Sequence, residues 1–343
     1  MAAYPKYLSP KTLERRYKDS GLSQTKIDFM KTLCKACANL YGVIVAQDVW
    51  EIYRELSNNI DLPFIHKREL LTALKIFRRE DLPFYVFELD EVFDEETKID
   101  RYMVIISKDL LGYGLERFYS VYDVLDNREG TKFFVVENLL DYAEPKPNPC
   151  EKMLLHKLSN MKCTESEYKD PYSDEKYPCK YQGLKLNEFH FISRTEQLEL
   201  DRLSKKGKNG PTKYYEHMLQ ETKKYNAAEK IVNNIKFNFM TGEYYGPDAV
   251  QYLLKSLHEL GVVPKDNELT ACFRLILEWN NHMHQWGLAG WTPDDLSAVE
   301  DYNPSGAPTI EIGPNLRKMI QNGEISEEEL QSGIDSLRKK WTM

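Results

Sequence analysis

The chain has 343 residues, 42% hydrophobic and 12% aromatic, which is enough to bury substantial cores and long enough for two or three domains. Lys and Arg number 46 against 54 Asp and Glu, and the formal net charge of −8 excludes indiscriminate adhesion to nucleic acid or anionic membrane. Any nucleic-acid site must therefore be a local patch.

The start, Met-Ala-Ala-Tyr-Pro-Lys-Tyr, lacks the basic-then-apolar pattern of a signal peptide, and no stretch approaches the roughly 18 apolar residues of a membrane helix. A cytoplasmic protein without membrane contact is expected, with its six cysteines as thiols.

Ser23 is a good N-cap, and Ile27, Met30, Cys34, Cys37 and Tyr41 recur at helical spacing behind it, up to Gly42. Val43-Ile44-Val45 reads as a short strand, and Asp48 opens a helix with Val49, Ile52, Tyr53 and Leu56 inward. After Pro63 a third helix has Leu70, Leu74 and Phe77 on its inner face. Arg68, Thr72, Lys75 and Arg79 lie nearly opposite, flanked by Lys67 and Arg78. Two strand-like runs follow, Pro83 to Leu89 and Arg101 to Ser107, joined by Asp90 to Asp100.

Helix, strand, helix, helix, hairpin is the winged-helix order. Its presumed wing is unusual in sign: residues 80 to 100 hold nine acids and one lysine, a charge that phosphate would repel. A supporting helix with Phe118, Val121, Tyr122 and Leu125 and the apolar run Phe133 to Val136 complete this part.

The alternating prolines of Glu144-Pro145-Lys146-Pro147-Asn148-Pro149 block helix and sheet and mark a boundary. A helix near 149 to 161 and an irregular stretch over 162 to 192 come next. The period is then helical over 195–204, 211–225, 226–240, 247–260 and 266–286, and again near 314–321 and 327–340. The expected class is mostly α (α+β): a winged-helix-like domain over 1–144, linker and insertion over 145–194, a helical bundle over 195–300 and a helical tail over 301–343.

Chemistry-bearing motifs are few. Cys34-x-x-Cys37 lies mid-helix on the apolar stripe, where cysteines behave as small hydrophobes. Cys150, His156, Cys163 and Cys179 offer soft ligands for zinc, but fit no compact ligand spacing. Glu278, His282 and His284 form the densest polar cluster. Glu278 and His282 are one turn apart, the starting point for a metal-dependent hydrolase reading, whereas His284 is rotated away from His282. Thr292-Pro293-Asp294-Asp295 is a helix start. There is no P-loop, dinucleotide loop or nucleophile elbow.

The most basic stretch holds Arg202, Lys205, Lys206, Lys208, Lys213, Lys223 and Lys224. Tyr214, Tyr215 and Tyr225 interleave with them, a composition suited to phosphate contact and base stacking.

Asn280-Asn281 through Gly290-Trp291-Thr292-Pro293-Asp294-Asp295-Leu296, with the helix from Asn267 before it, resembles the helical region of uncharacterised bacterial SEC-C-type proteins. The segment Asn39-Leu40-Tyr41-Gly42-Val43-Ile44 is similar to their N-terminal part. The resemblance spans residues 25–80 and 240–297 and implies a bacterial or mobile-element origin. No cysteine follows Cys272, so the metal element that names the family is not carried over. The expectation is a non-enzymatic regulator or adaptor, needing no cofactor, that binds nucleic acid through Lys67, Arg68, Lys75, Arg78, Arg79, Lys205, Lys206, Lys208, Lys213, Tyr214 and Tyr215. Alternatives are an adaptor or inhibitor whose acidic surface engages a basic protein partner, and the hydrolase at Glu278 and His282.

Overall fold

The computed structural model describes residues 4–92, 103–112, 118–169, 175–192, 194–204, 219–220 and 223–299. The chain divides into two compact units, Met1–Leu296 and Ser297–Met343. The helices expected at 314–321 and 327–340 lie outside the described residues, as does most of the stretch expected as a helix over 211–225.

The first unit is mostly helical with a small antiparallel sheet. Helix α1 (Pro10–Ser20) starts behind Ser9 with proline at its first position and ends at the left-handed Gly21. Helix α2 (Gln24–Tyr41) begins where Ser23 accepts a hydrogen bond from the Lys26 amide. Its expected stripe is buried, and so are Phe29, Leu33, Ala36, Ala38 and Leu40 on other faces, making it the central helix of this part.

Strand β1 (Val43–Val45), α3 (Ala46–Ser57), α4 (Lys67–Phe77), β2 (Phe84–Glu88), the short α5 (Leu89–Val92) and β3 (Met103–Ser107) follow. The strands form one antiparallel sheet in the order β1-β3-β2, with Val43 opposite Ile106 and Val86 opposite Ile105. The period of two sorts the side chains. Ile44, Phe84, Val86, Met103 and Ile105 enter the core built on α2, α3 and α4. Val43, Phe87, Val104 and Ile106 enter a second cluster with α6 (Lys108–Leu111) and α7 (Tyr119–Asn127). Both faces are covered, which is why β3 reads as continuously apolar.

The run Phe133 to Val136 pairs in no sheet. The Phe134 amide donates to the Ala289 carbonyl at 3.0 Å, and the Tyr41 hydroxyl donates to the Phe134 carbonyl at 2.8 Å. A 3-10 turn, Leu139–Ala143, then packs along α2.

A third cluster gathers α8 (Pro149–Asn160), α10 (Ala227–Thr241), α11 (Gly246–Glu259) and α12 (Asp266–His282), with α9 (Arg194–Ser204) between α8 and α10 in the chain. The stretch expected as irregular over 162–192 carries a hairpin, β4 (Glu167–Lys169) with β5 (Lys176–Pro178), whose residues are exposed or half-buried. Without a buried face the hairpin leaves no alternation in the sequence.

The helix expected to reach residue 286 stops at His282, because Met283 turns extended and the buried Gln285 side-chain amide donates from Nε2 to the Asn280 carbonyl of the last turn at 3.2 Å. The released segment carries Trp286 into the cluster beyond the sheet. Its indole N–H donates to the Asn39 carbonyl at 2.8 Å. Gly42 (φ 71°) makes room for it: a Cβ there would sit 2.6 Å from Trp286 Cγ. Gly290 (φ 86°) does the same for Tyr41, since its Cβ would fall 2.6 Å from Tyr41 Cε1. The short helix α13 (Pro293–Ser297) follows, with Thr292 Oγ1 accepting from the Asp295 amide at 3.0 Å.

Candidate nucleic-acid interface

Helix α4 is held from within by Leu70, Ala73, Leu74, Ile76 and Phe77, all buried. Its start is fixed by Glu69, whose carboxylate accepts the His66 amide at 2.7 Å and pairs with Lys26 at 2.8 Å. The Lys26 hydrogen bond holds the Glu69 carboxyl below the usual carboxylate range, against partial burial.

The five cations expected on this helix separate into two groups. Lys67, Arg68 and Lys75 are exposed. Among the described residues Lys67 reaches only the neutral Gln47 side chain. Arg68 and Lys75 have no side-chain partner among the described residues. Seven positions apart, they share one edge of the helix, about 10.5 Å along its axis.

Arg78 and Arg79 are engaged by the fold, Arg78 largely buried and Arg79 at the surface. The Arg78 guanidinium donates to both Glu91 oxygens at 2.5 and 2.6 Å, approaches Glu88 at 3.8 Å and lies over the Tyr4 ring. The Arg79 Nε donates to the Lys6 carbonyl at 2.9 Å, and the Leu8 amide returns a bond to the Arg79 carbonyl at 2.8 Å. The segment before α1 thus straps the C-terminal end of α4, anchored by Tyr4, whose hydroxyl accepts the Val86 amide at 3.1 Å.

The acidic stretch is partly neutralised as well. Glu80 pairs with Lys31 at 2.6 Å and also accepts from the Tyr17 hydroxyl; Asp81 pairs with Lys108 at 2.6 Å; Glu91 pairs with Arg78. Residues 93–102 of the presumed wing lie outside the described residues. So do Lys205, Lys206, Lys208, Lys213, Tyr214 and Tyr215, and the basic stretch is described only at Arg202, Lys223, Lys224 and Tyr225, with Lys224 over the Tyr225 ring at 5.1 Å.

The polar cluster near residue 280 serves as a joint. His282 places Nδ1 2.8 Å from the Glu278 carbonyl, a backbone contact, and Nε2 3.3 Å from the Asp294 carboxylate, so both ring nitrogens are engaged. His284 stacks on Phe134 and donates from Nδ1 to the Gly290 carbonyl at 2.7 Å. Burial pushes the Cys34, Cys37, Cys150, Cys163, Cys179 and Cys272 thiols up, Cys163 and Cys272 to about 11, away from thiolate chemistry. Among the described residues no group of three or more His, Cys, Asp or Glu side chains is placed to hold a metal ion, and no helix is long and apolar enough to cross a membrane.

Comparison with protein-family models, with curated proteins and with solved structures finds no match to this chain.

Proposed function

We propose that the chain is a non-enzymatic, macromolecule-binding regulator or adaptor that contacts nucleic-acid phosphates through the exposed edge of α4. The order α2-β1-α3-α4-β2-β3 and the strand order β1-β3-β2 support a winged-helix-like domain, in which α4 takes the recognition position. The helical bundle behind it braces that domain, and the resemblance of residues 25–80 and 240–297 favours a bacterial or mobile-element setting.

The observation that carries the reading is that Arg68 and Lys75 stand unpaired among the described residues on one edge of a helix whose other face is locked. Long cationic side chains with neither carboxylate nor carbonyl partner are available to phosphate. With Lys67 they give three contacts, for which log K should fall with log salt at a slope of about −2.7 on duplex DNA and about −2.1 on a single strand, against about −4.5 and about −3.5 had all five cations been free. The test is anisotropy with labelled DNA and RNA at low salt. Arg68→Glu/Lys75→Glu should weaken binding more than about tenfold and flatten the salt slope by about two. A wild-type protein that binds neither nucleic acid at low salt overturns the reading.

A second reading rests on the Arg78–Glu91 pair and the acids around it. A basic protein partner would be drawn to this acidic side, and its stoichiometric co-purification with the wild type, lost on reversing Glu88 and Asp90, would establish it.

A further inference from the structure

Phe64 has 67% of its surface exposed, the highest value for a large apolar side chain among the described residues. Its backbone is nevertheless fixed. The Tyr53 hydroxyl donates to the Pro63 carbonyl at 3.1 Å and accepts the Ile65 amide at 3.0 Å, so one phenol clamps the chain on both sides of Phe64. Tyr53 is itself buried and braced by Phe29 and Trp50, with ring centroids at 5.9 and 5.3 Å, and Ile65 is fully buried. The His66 ring meets Phe64 edge-on at 4.7 Å, and the Lys26 ammonium lies 6.0 Å from its centroid. A ring on a mobile loop could fold back onto apolar surface; this one is held out.

Its surroundings are polar and cationic. His66, Lys67 and Arg68 follow it in the chain and are exposed, Lys26 is already answered by Glu69, and the loop 58–66 carries a single carboxylate, Asp61. The centre of a protein–protein interface is depleted of charged residues, lysine among them. An aromatic with flanking cations instead matches a nucleobase stacked on the ring, with neighbouring phosphates on the cations.

We infer that Phe64 is a stacking platform for an unpaired nucleobase, with Lys67 and Arg68 taking the adjoining phosphates, so that the ligand is a single-stranded nucleic acid or an unpaired end or loop. The inference rests on the nucleic-acid reading above and names the strand state that the α4 edge takes. A base paired inside a duplex has both faces occupied and cannot reach the ring.

The experiment compares oligo(dT) with a duplex of equal length, at low salt, by anisotropy. Phe64→Ala should weaken oligo(dT) binding about 5- to 100-fold with the salt slope unchanged, because no phosphate contact is lost, and should change duplex binding less than about twofold. Phe64→Trp should keep oligo(dT) affinity within about threefold, and its added emission should be quenched at saturation. The ring is exposed, so both variants should fold, checked by an unchanged melting curve.

Equal weakening of both ligands by Phe64→Ala, or no weakening of either, overturns the inference. If binding remains sensitive to Arg68→Glu/Lys75→Glu, the phosphate reading survives that outcome. Phe64-dependent capture of a protein without oligo(dT) binding also overturns it. A wild type that binds neither ligand overturns both.

Discussion

His284 shows how a residue that looks chemical in the sequence becomes structural. The ring is stacked on Phe134 with centroids 5.7 Å apart and meets Tyr142 edge-on, and Nδ1–H is fixed by the Gly290 carbonyl. Burial pushes its pKa below the ordinary 6.5, and the Gly290 carbonyl and Asp295 only partly offset that. The folded ring binds a proton less readily than the unfolded one. Its contribution to stability is therefore complete above pH 6.5, declines as the pH falls from there toward the folded value, and is flat below it. Urea midpoints measured from about pH 7 down to about pH 5.5, above most carboxylate titrations, should fall with pH in the wild type. In His284→Phe that slope should shrink, although the lost hydrogen bond costs about 1 kcal/mol at every pH. Parallel wild-type and variant curves would show that His284 is not the titrating group.

Helix α4 divides its labour among cations. Arg78 is 14% exposed and Glu91 19%, so their pair is only partly screened, and Arg78→Ala leaves a half-buried carboxylate without its guanidinium. A loss of about 1 to 3 kcal/mol in denaturant unfolding is expected, with the salt slope of the proposed nucleic-acid binding unchanged. Arg68→Glu should do the reverse, leaving stability within about 0.5 kcal/mol while altering the slope. If Arg78→Ala changes the slope and spares stability, the division is wrong. Sequence periodicity shows the inner face of α4 and the stripe of α2, because both repeat locally. It cannot show which cations are spent: Glu91 is 13 positions beyond Arg78, across β2, and the carbonyl that holds Arg79 is 73 positions upstream in Lys6. Helix α1 escaped the sequence reading because it buries none of its residues. Phe64 escaped too, since Pro63-Phe64-Ile65 reads as an ordinary apolar stretch and nothing local says that the middle ring points out.

At the scale of the first unit, the clusters meet at Trp286. This residue, 247 positions after Asn39, fills the space beyond the sheet beside Val43, Val104, Ile106 and Val121, and its indole N–H satisfies the Asn39 carbonyl near the end of α2. Around it Asn127 donates to the Thr241 carbonyl at 3.0 Å, and the Trp291 indole donates to the Lys132 carbonyl at 2.8 Å. The N-terminal sheet therefore has a finished second face only while the segment after α12 is in place. Trp286→Ala removes a fully enclosed indole and leaves a carbonyl unmet, a loss of about 3 to 5 kcal/mol out of a total of about 5 to 15 kcal/mol for a typical domain. Two tryptophans allow the coupling to be read separately: Trp50 packs against the first core and Trp279 is buried in the helical one. Followed by 19F NMR of 5-fluorotryptophan-labelled protein, which resolves the five indoles, the Trp50 and Trp279 transitions in urea should coincide in the wild type. In Trp286→Ala they should separate, with the Trp50 transition moving to lower urea, because the sheet then loses its cover while the helical core keeps its own contacts. Transitions that stay coincident after a loss below about 1 kcal/mol would mean that the sheet does not depend on Trp286 for its second face.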